Sequence, residues 1–542
     1  MPRIIVLDDL SADGLALFRS AGNIEHEVRT GLKGAQLHDA LVEFDGAICR
    51  SGVRITADVL EGNRRLRAIA RAGVGVDNID VDAATRLGIV VMNTPGGNTI
   101  STAEHTIALL LALSRNVAPA YQSLLQGRWD RKLYIGTQLA GKTLGIVGLG
   151  RVGQAVAARA LAFQMRVLGC DPFLSIQRAK ELGITPCASL REMLPAVDYL
   201  SVHTPLNNET RNLIGAEEIR LMPKGVRLVN CARGGIFNEE ALAEGLASGH
   251  LGGVALDVFE TEPCTTSPLF GMPNVLCTPH LGASTEEAQS QVALEAAELL
   301  IDFFTTGAIR QAVNMPPMDP KTRESLRGYL DVAYRLGSLL AQVNHCAPVA
   351  CKLHYQGEVA KKDTRLISAA FTAGLLEQAM ECQVNLVNAE VLLRQRGIEL
   401  VEQRSSDPGD FTSLVTAEVV GRERTSVAAG TLFGSNTPRL VRKGGFRLES
   451  RLEGILLITT HRDVPGVIGR LGNVLGKHDV NIAYLSVGRG ESKPGGEAIG
   501  VLALDSWPPP EAVAEIRALE PVLGACVVKL PPAGQLPAWM GG

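Results

Sequence analysis

The sequence predicts an α/β chain with two doubly wound parallel sheets, and three observations carry the prediction. Short apolar stretches alternate with helical ones from residue 1 to about 96, and again from about 141 to 284. A glycine fingerprint, GLGRVG, opens a helix in the second series. The strands of that series are near-continuous apolar runs, as strands covered on both faces must be. Strand–helix alternation of this kind builds a parallel sheet with helices on both sides.

The first series reads RIIVLDD, HEVRT, GAICRS, RAIARAG and IVVMNT as strands, with helical segments such as SADGLALFRSAG and AQLHDALVEF between them. A long apolar helix is expected over 99–120, capped by Ser101 with Glu104 and buried, at a subunit contact. The second series reads TLGIVG, RVLGCD, DYLSVHTPL, VRLVNCARG, GVALDVFE and NVLCTPH as strands. A helix, EEAQSQVALEAAELLIDFF, follows and breaks at NMPPMDP. The stretch from 321 to about 450 is mixed and carries little periodic signal. From 454 to 530 the order is βαββαβ, a ferredoxin-like split unit.

Bulk properties narrow the function. A chain of 542 residues predicts three or four domains. Hydrophobic content of 46% and charged content of 20% are ordinary for globular proteins. The net charge of −4 leaves no footprint for nucleic acid or for a membrane surface. No apolar run is long enough to span a bilayer. The ten cysteines are scattered without a CxxC pair, so neither a disulfide frame nor a metal site is expected. The start reads as a strand rather than a signal peptide, and the expected location is the cytoplasm.

The chemistry gathers in one half of the chain. Gly148, Gly150 and Gly153 follow a strand and open a helix, and Asp171 ends the next strand. This is the context a dinucleotide fingerprint requires. The first glycine permits the turn, the second lets backbone approach a pyrophosphate, and the third lets helix pack on strand. A carboxylate at Asp171 accepts from ribose hydroxyls and repels a 2′-phosphate, so NAD is the expected cofactor. LVNCARGG ends a strand in Arg233, DVFETEP places Glu262 after another, and LCTPH places His280 after a third. Loops leaving the carboxyl ends of one sheet converge on its ligand. An imidazole can take the proton of a secondary alcohol, a carboxylate can orient that imidazole, and a guanidinium can hold a substrate carboxylate.

With these residues the chain resembles the D-isomer-specific 2-hydroxyacid dehydrogenases, and among them the long forms that act on 3-phosphoglycerate. The matching stretches are RAGVGVDNID, NTPGGNTISTAEH, GKTLGIVGLGRVG, HTPL, VNCARGG, DVFETEP and PHLGAST. The resemblance implies catalysis by Arg233, Glu262 and His280. It implies cofactor contacts from Arg151, Val152, Asp171, Thr204, Cys231, Ala232 and Asp257 beside the three glycines. It implies a Rossmann-type NAD domain, 97–284, inserted in a flavodoxin-like substrate-binding domain, 1–96 and 285–313. An α+β intervening domain, 314–450, and a ferredoxin-like ACT regulatory domain, 451–542, complete the chain.

Substrate contacts are expected from Arg50 and Ser51 in CRSG, from the Val74–Gly75 turn and from Asn98. Val74 departs from the threonine of eukaryotic relatives. Arg131 and Lys132 are expected either as surface charges or as residues lent to a neighbouring subunit. In the tail, His461, Asp463 and Asn481 are the expected contacts for a serine effector, Asp463 taking the ammonium. The basic cluster Arg439, Arg442, Lys443 and Arg447 reads as a solvated hairpin rather than an anion site. The implied activity is NAD-dependent oxidation of 3-phospho-D-glycerate to 3-phosphohydroxypyruvate by a homotetramer, opening serine synthesis under feedback by serine. Two alternatives stay open: a reductase for another 2-oxo acid such as hydroxypyruvate or 2-oxoglutarate, and a non-catalytic, corepressor-like NAD sensor.

Overall fold

In the computed structural model, all residues are described except 344–346, 381–382, 408, 435, 491–494, 533–534, 536, 538 and 540–542. The first sheet contains β1 (Arg3–Val6), β2 (Glu25–Val28), β3 (Gly46–Cys49), β4 (Ala68–Arg71) and β5 (Val90–Asn93). All pairs are parallel, in the order β2-β1-β3-β4-β5. Every strand falls on a stretch predicted from the apolar pattern. The helix Glu286–Thr306 returns from later in the chain to cover one face. At Gly46 a Cβ would lie 2.8 Å from the Phe304 ring, so this helix seats closely on β3. Residues 311–318 then run back beside β5, where the Asn314 amide accepts from Val91 N and donates to Ile89 O.

The second sheet contains β6 (Thr143–Val147), β7 (Arg166–Cys170), β8 (Thr185–Pro186), β9 (Tyr199–Val202), β10 (Val226–Asn230), β11 (Leu251–Leu256) and β12 (Val275–Cys277). Its order is β12-β11-β10-β9-β6-β7-β8, all parallel. The order reverses between β6 and β9, so the loops after these two strands diverge to opposite faces and leave a crevice at their carboxyl ends. Two buried apolar clusters sandwich the sheet, one around Ile146 and Ala157, the other around Leu200 and Leu228. Only the two-residue β8 has no counterpart in the sequence reading, since TP carries no strand pattern.

The helix predicted over 99–120 is two helices, Thr99–Ser114 and Val117–Leu125. The break lies at Asn116, whose φ of 51° is left-handed. The first helix buries Ile107, Leu110 and Leu113 against the second sheet's core. The second exposes Val117, Tyr121, Leu124 and Leu125. The predicted Ser101–Glu104 cap is also absent. Asn98 is the N-cap, Ser101 Oγ lies 2.8 Å from Thr285 Oγ1, and Glu104 pairs with Arg159. Ser101 thus ties the helix that leaves the first domain to the start of the helix that returns to it.

The region with little periodic signal forms a sheet of β13 (Pro348–Gly357), β14 (Glu399–Ser405), β15 (Ser413–Gly421), β16 (Thr425–Phe433), β17 (Thr437–Lys443) and β18 (Phe446–Arg451). Its order is β14-β13-β15-β16-β17-β18, antiparallel except for β13 with β14. The helices Pro320–Val343 and Thr364–Leu376 cross where Gly337 meets Gly374, each leaving room for the other's backbone: a Cβ on either would lie 2.0 Å from a carbonyl.

The tail forms the predicted βαββαβ unit: β19 (Ile455–Arg462), β20 (Ile482–Arg489), β21 (Glu497–Leu504) and β22 (Val522–Lys529), in the order β20-β21-β19-β22. Helices Val467–Lys477 and Pro510–Ala518 bury Leu471 and Ile516 against it. Arg335, 1% exposed, fastens the tail to the preceding domain. Its guanidinium pairs with Asp331 and donates to the carbonyls of Leu452, Pro531 and Pro532. Of the basic cluster, Arg447 pairs with Asp410 and Arg442 donates to Gly444 O, both exposed as expected. Lys443 departs from the expectation: it is half-buried, and burial lowers the pKa of its ammonium.

Candidate active site

The three predicted catalytic groups stand on loops at one end of the second sheet. His280 follows β12 in left-handed backbone, φ 55°. Its Nδ1 lies 2.7 Å from Glu262 Oε2. Glu262 Oε1 accepts from Phe259 N at 3.0 Å. Burial pushes the Glu262 carboxyl upward, but the His280 and Phe259 hydrogen bonds outweigh it and hold the pKa below the ordinary range. An ionised carboxylate only accepts, so Nδ1 carries the proton and Nε2 is the free base. Arg233 follows β10. Its turn is braced by Asn230, which accepts from Ala232 N and donates to Arg233 O.

Arg233 does not stand free to await a substrate. Its Nε donates to Asp77 Oδ2 at 3.0 Å, across 156 residues of sequence. At Gly75 a Cβ would lie 1.9 Å from Arg233 Nη2, so the guanidinium rests on the glycine backbone of the Val74–Gly75 turn. The crevice between the two sheets is therefore lined from both sides. Arg50 stands after β3, its N–H bonded to Asp8 and its carbonyl held by Asn78. Ser51 is exposed in the same turn. Asn93 donates to Val74 O. Asn98 Oδ1 is buried without a partner.

A third arginine, Arg71, ends β4 close by. Burial, and then the positive charges of Arg233 and Arg50, lower its pKa, while its Nε is buried and unpaired. The sequence reading missed Arg71, Asp77 and His105, although all three lie in stretches quoted for other residues: RAGVGVDNID and NTPGGNTISTAEH. Arg131 and Lys132 sit on an exposed loop without an ion-pair partner among the described residues, and this chain alone does not bring them to the crevice.

The cofactor fingerprint meets its geometric test. Gly148 has φ 88°, and a Cβ there would lie 2.7 Å from His203 O. At Gly153 a Cβ would lie 2.1 Å from Gly148 O. At Gly150, the N-cap of helix Arg151–Ala162, a Cβ would meet nothing within 4 Å. Two glycines thus serve internal packing and the middle one faces open space, where backbone N–H groups at Arg151 and Val152 remain for a phosphate. Thr204 Oγ1 is buried without a partner beside this turn. Asp171 Oδ2 accepts from Leu149 N and Oδ1 from Phe173 N, which leaves each oxygen a further acceptor site. A cavity of about 500 Å³ adjoins it, walled by Leu149, Leu174, Ile176 and Pro186.

Two expected cofactor contacts are buried. Cys231 is buried, and desolvation pushes its thiol up to about 12. Asp257 is fully buried. It accepts from Thr278 Oγ1, Leu281 N and Gly282 N at 2.6 to 2.8 Å, and His105 Nε2 lies 3.2 Å away. It is a positioning residue that holds the His280 turn.

Comparisons with known proteins place the chain in a family. Family models match as the D-isomer specific 2-hydroxyacid dehydrogenase NAD-binding domain over 107–282, the D-3-phosphoglycerate dehydrogenase intervening domain over 325–443 and the ACT domain over 455–521. D-3-phosphoglycerate dehydrogenase of Bacillus subtilis is 40% identical over 98% of this chain and all of its own length. The chain belongs to the D-3-phosphoglycerate dehydrogenase family. A second member, from Methanocaldococcus jannaschii, is 39% identical over 98% of this chain and all of its own. Among solved structures, a protein from Thermus thermophilus aligns at TM-score 0.53 and 38% identity over 57% of this chain and 99% of its own. An NAD-dependent formate dehydrogenase of Staphylococcus aureus, solved with NAD, aligns at TM-score 0.53 and 30% identity over 59% of this chain and all of its own. The family is one of NAD-dependent oxidoreductases, and NAD is the cofactor of the domain matched over 107–282.

In the tail, Asp463 forms an ion pair with Arg489 Nε at 2.7 Å, at an angle that falls short of a hydrogen bond. Asn481 Nδ2 donates to Asp505. His461 is buried, and burial lowers its pKa. Arg489 and Asp505, the partners of two expected effector contacts, were not read from the sequence.

The glycines separate packing from cofactor approach. Gly150→Ala should leave the unfolding midpoint in urea within the error of the parent and weaken NAD binding by at least about tenfold, read by calorimetric titration. Gly153→Ala should instead lower the midpoint, by about 1–3 kcal/mol of stability. His280→Gln should cut turnover by roughly two to four orders of magnitude with NAD affinity kept, in stopped-flow and binding measurements.

Proposed function

We propose that this chain oxidises the 2-hydroxyl of 3-phospho-D-glycerate with NAD, giving 3-phosphohydroxypyruvate as the first step of serine formation. The observation that carries the substrate is the seating of Arg233 and Arg71 on the Gly73–Gly75 turn, where a Cβ at Gly75 would lie 1.9 Å from Arg233 Nη2 and one at Gly73 1.7 Å from Arg71 Nη1, with Arg50 after the neighbouring strand donating through Nη1 to Asp9 O and Asp77 paired with Arg233. Guanidinium groups held this close repel one another unless an anion of more than one charge joins them. A substrate carrying both carboxylate and phosphate meets that demand better than an unphosphorylated 2-hydroxy acid.

Arg233 holds the carboxylate and the 2-oxygen, exchanging part of its pairing with Asp77 for the substrate. His280 Nε2 takes the hydroxyl proton as the C2–H bond breaks. Glu262 fixes the ring through Nδ1 and offsets the imidazolium charge that results. Asn98 and the Val74–Gly75 backbone hold acid oxygens, and Arg50 with Arg71 faces the phosphate. NAD, when bound through the Gly148–Gly153 turn, Thr204 and Asp171, supplies the hydride acceptor.

The protein acts as a homo-oligomer in this reading. Val117, Tyr121, Leu124, Leu125, Trp129, Leu133 and Ile135 form a run of exposed large apolar side chains, more than a solitary chain leaves in water. Arg131 and Lys132 lie within that run and would reach a neighbour's phosphate site. A tetramer fits pairing through this surface and again through the regulatory domain. Serine fits the regulatory domain as effector: Asp463 and Arg489 offer one carboxylate and one guanidinium to the ammonium and carboxylate of an amino acid. Among the described residues no helix is long and apolar enough to cross a membrane, in keeping with a cytoplasmic enzyme.

Arg50→Ala should reduce kcat/KM for 3-phosphoglycerate by at least about a hundredfold and for unphosphorylated 2-hydroxy acids by much less, followed as NADH absorbance. Equal losses would remove Arg50 from the phosphate site. Deleting the tail would orphan the buried Arg335, so the effector is best tested in the full chain. Asp463→Ala should abolish inhibition by serine while leaving the uninhibited rate unchanged.

A further inference from the structure

A cavity of about 1140 Å³ lies between the first domain and the intervening domain. It is separate from the catalytic crevice. Its walls come from residues before β4 and β5, such as Asn63, Arg67 and Gly88, whereas the catalytic loops follow β3 and β4 at the strands' other end. The opposite wall is the segment 383–387, anchored by Asn385 Nδ2 on Gly88 O and by Asn388 Nδ2 on Arg86 O. At Gly88 a Cβ would lie 2.4 Å from the Asn385 amide, so this seam needs glycine.

Four guanidinium groups line the space: Arg64, Arg65, Arg67 and Arg323. One carboxylate, Asp45, lines it among the described residues. Asp45 is already engaged by Arg65, at 3.3 Å from both Nε and Nη2, and by Arg3 N. Arg67 lies 5.5 Å from the Phe303 and Phe304 ring centroids. Arg323 reaches across Gly307, where a Cβ would lie 2.2 Å from its Nη1, and donates to Thr306 O. Arg64 has no ion-pair partner among the described residues.

The wall also holds an unspent donor. Asn63 is 4% exposed, and its Oδ1 accepts from Arg65 N and Leu66 N at 2.9 Å. Those bonds fix the amide and leave Nδ2 buried without a partner. A buried N–H without an acceptor is costly unless a ligand or water supplies one.

We propose that this cavity binds a phosphate-bearing small anion that bridges the first and intervening domains. Guanidinium forks match phosphate oxygens two at a time, and the Asn63 amide supplies a neutral donor inside the cationic rim. The volume accommodates a diphosphate or a phosphate ester and exceeds what one water needs. A ligand held by Arg64, Arg65 and Arg67 on one domain and by Arg323 on the other stabilises their mutual docking by its own binding free energy. The site is independent of the catalytic assignment, because none of its residues lines the crevice.

Trp539 lines the cavity and provides a local reporter. Trp129 and Trp507, the other two tryptophans, are exposed and can be replaced by Phe in the full-length chain. Titration with inorganic pyrophosphate should then change Trp539 emission to saturation, and chloride at matched ionic strength should not. Arg64→Ala with Arg67→Ala should weaken that response at least about tenfold while near-ultraviolet dichroism and NADH-forming activity persist. Arg64→Ala alone, which breaks no bond within the fold, should give a smaller loss in the same direction. Displacement of pyrophosphate by glycerol phosphate assigns the site to phosphate esters, and failure to displace assigns it to the inorganic anion; both support the proposal. No saturable response, one that chloride reproduces, or one the double variant retains overturns it.

Discussion

The catalytic arrangement depends on one buried carboxylate. Asp257 sits at the end of β11 with no solvent contact and accepts from Thr278, Leu281 N and Gly282 N, with His105 alongside. Burying an unpaired carboxylate costs several kcal/mol, but each charge-assisted hydrogen bond returns about 1.5–3 kcal/mol. The balance lies with the bonds, since the Asp257 pKa stays below its ordinary value despite desolvation. What this fixes is a turn rather than a side chain. His280 takes a left-handed conformation uncommon for residues other than glycine, and in that turn Nδ1 meets Glu262. His105 comes from the helix Thr99–Ser114, so the same bonds also join the inter-domain connection to the sheet that carries the base.

Charge in the crevice is balanced rather than neutralised. Arg233 reaches across to Asp77, which makes each domain hold part of the other's site. Arg71 is half-buried and carries a buried, unpaired Nε. Such a group is stable beside Arg50 and Arg233 only while acidic neighbours or a bound anion compensate. The site is therefore poised for an anion before one arrives, with a pairing on Arg233 that substrate can replace.

The regulatory end shares an apolar core with the intervening domain, Leu456, Ile458, Val501 and Val528 lying in one buried cluster with Leu336, Leu339 and Leu440, and polar contacts add to it. Arg335 hydrogen-bonds carbonyls at both ends of the tail domain. Gly488 lets β20 approach β18 so closely that a Cβ would lie 2.3 Å from Arg447 O. The tail is thereby joined to the long helix Pro320–Val343, whose start places Arg323 beside the linker from the first domain.

Local pattern determined much of this protein. Strand after strand falls on an apolar run, because burial on both faces leaves a sequence little choice, and the fingerprint glycines are legible because each answers a constraint set by its immediate neighbours. The mixed region 321–450 was not legible: its antiparallel strands and Gly337–Gly374 helix crossing depend on partners far along the chain. Arg233, Glu262 and His280 could be named from strand ends, whereas Asp77 on Arg233 and Arg71 behind them could not. A charge at a loop tip looks the same whether it faces water or a distant partner. The tertiary structure decided that Asp257 holds a turn, that Ser101 binds Thr285 instead of capping its helix, and that Asn116 breaks that helix. Periodicity is written in neighbouring residues, but a buried polar group finds its partner only when packing has brought remote segments together.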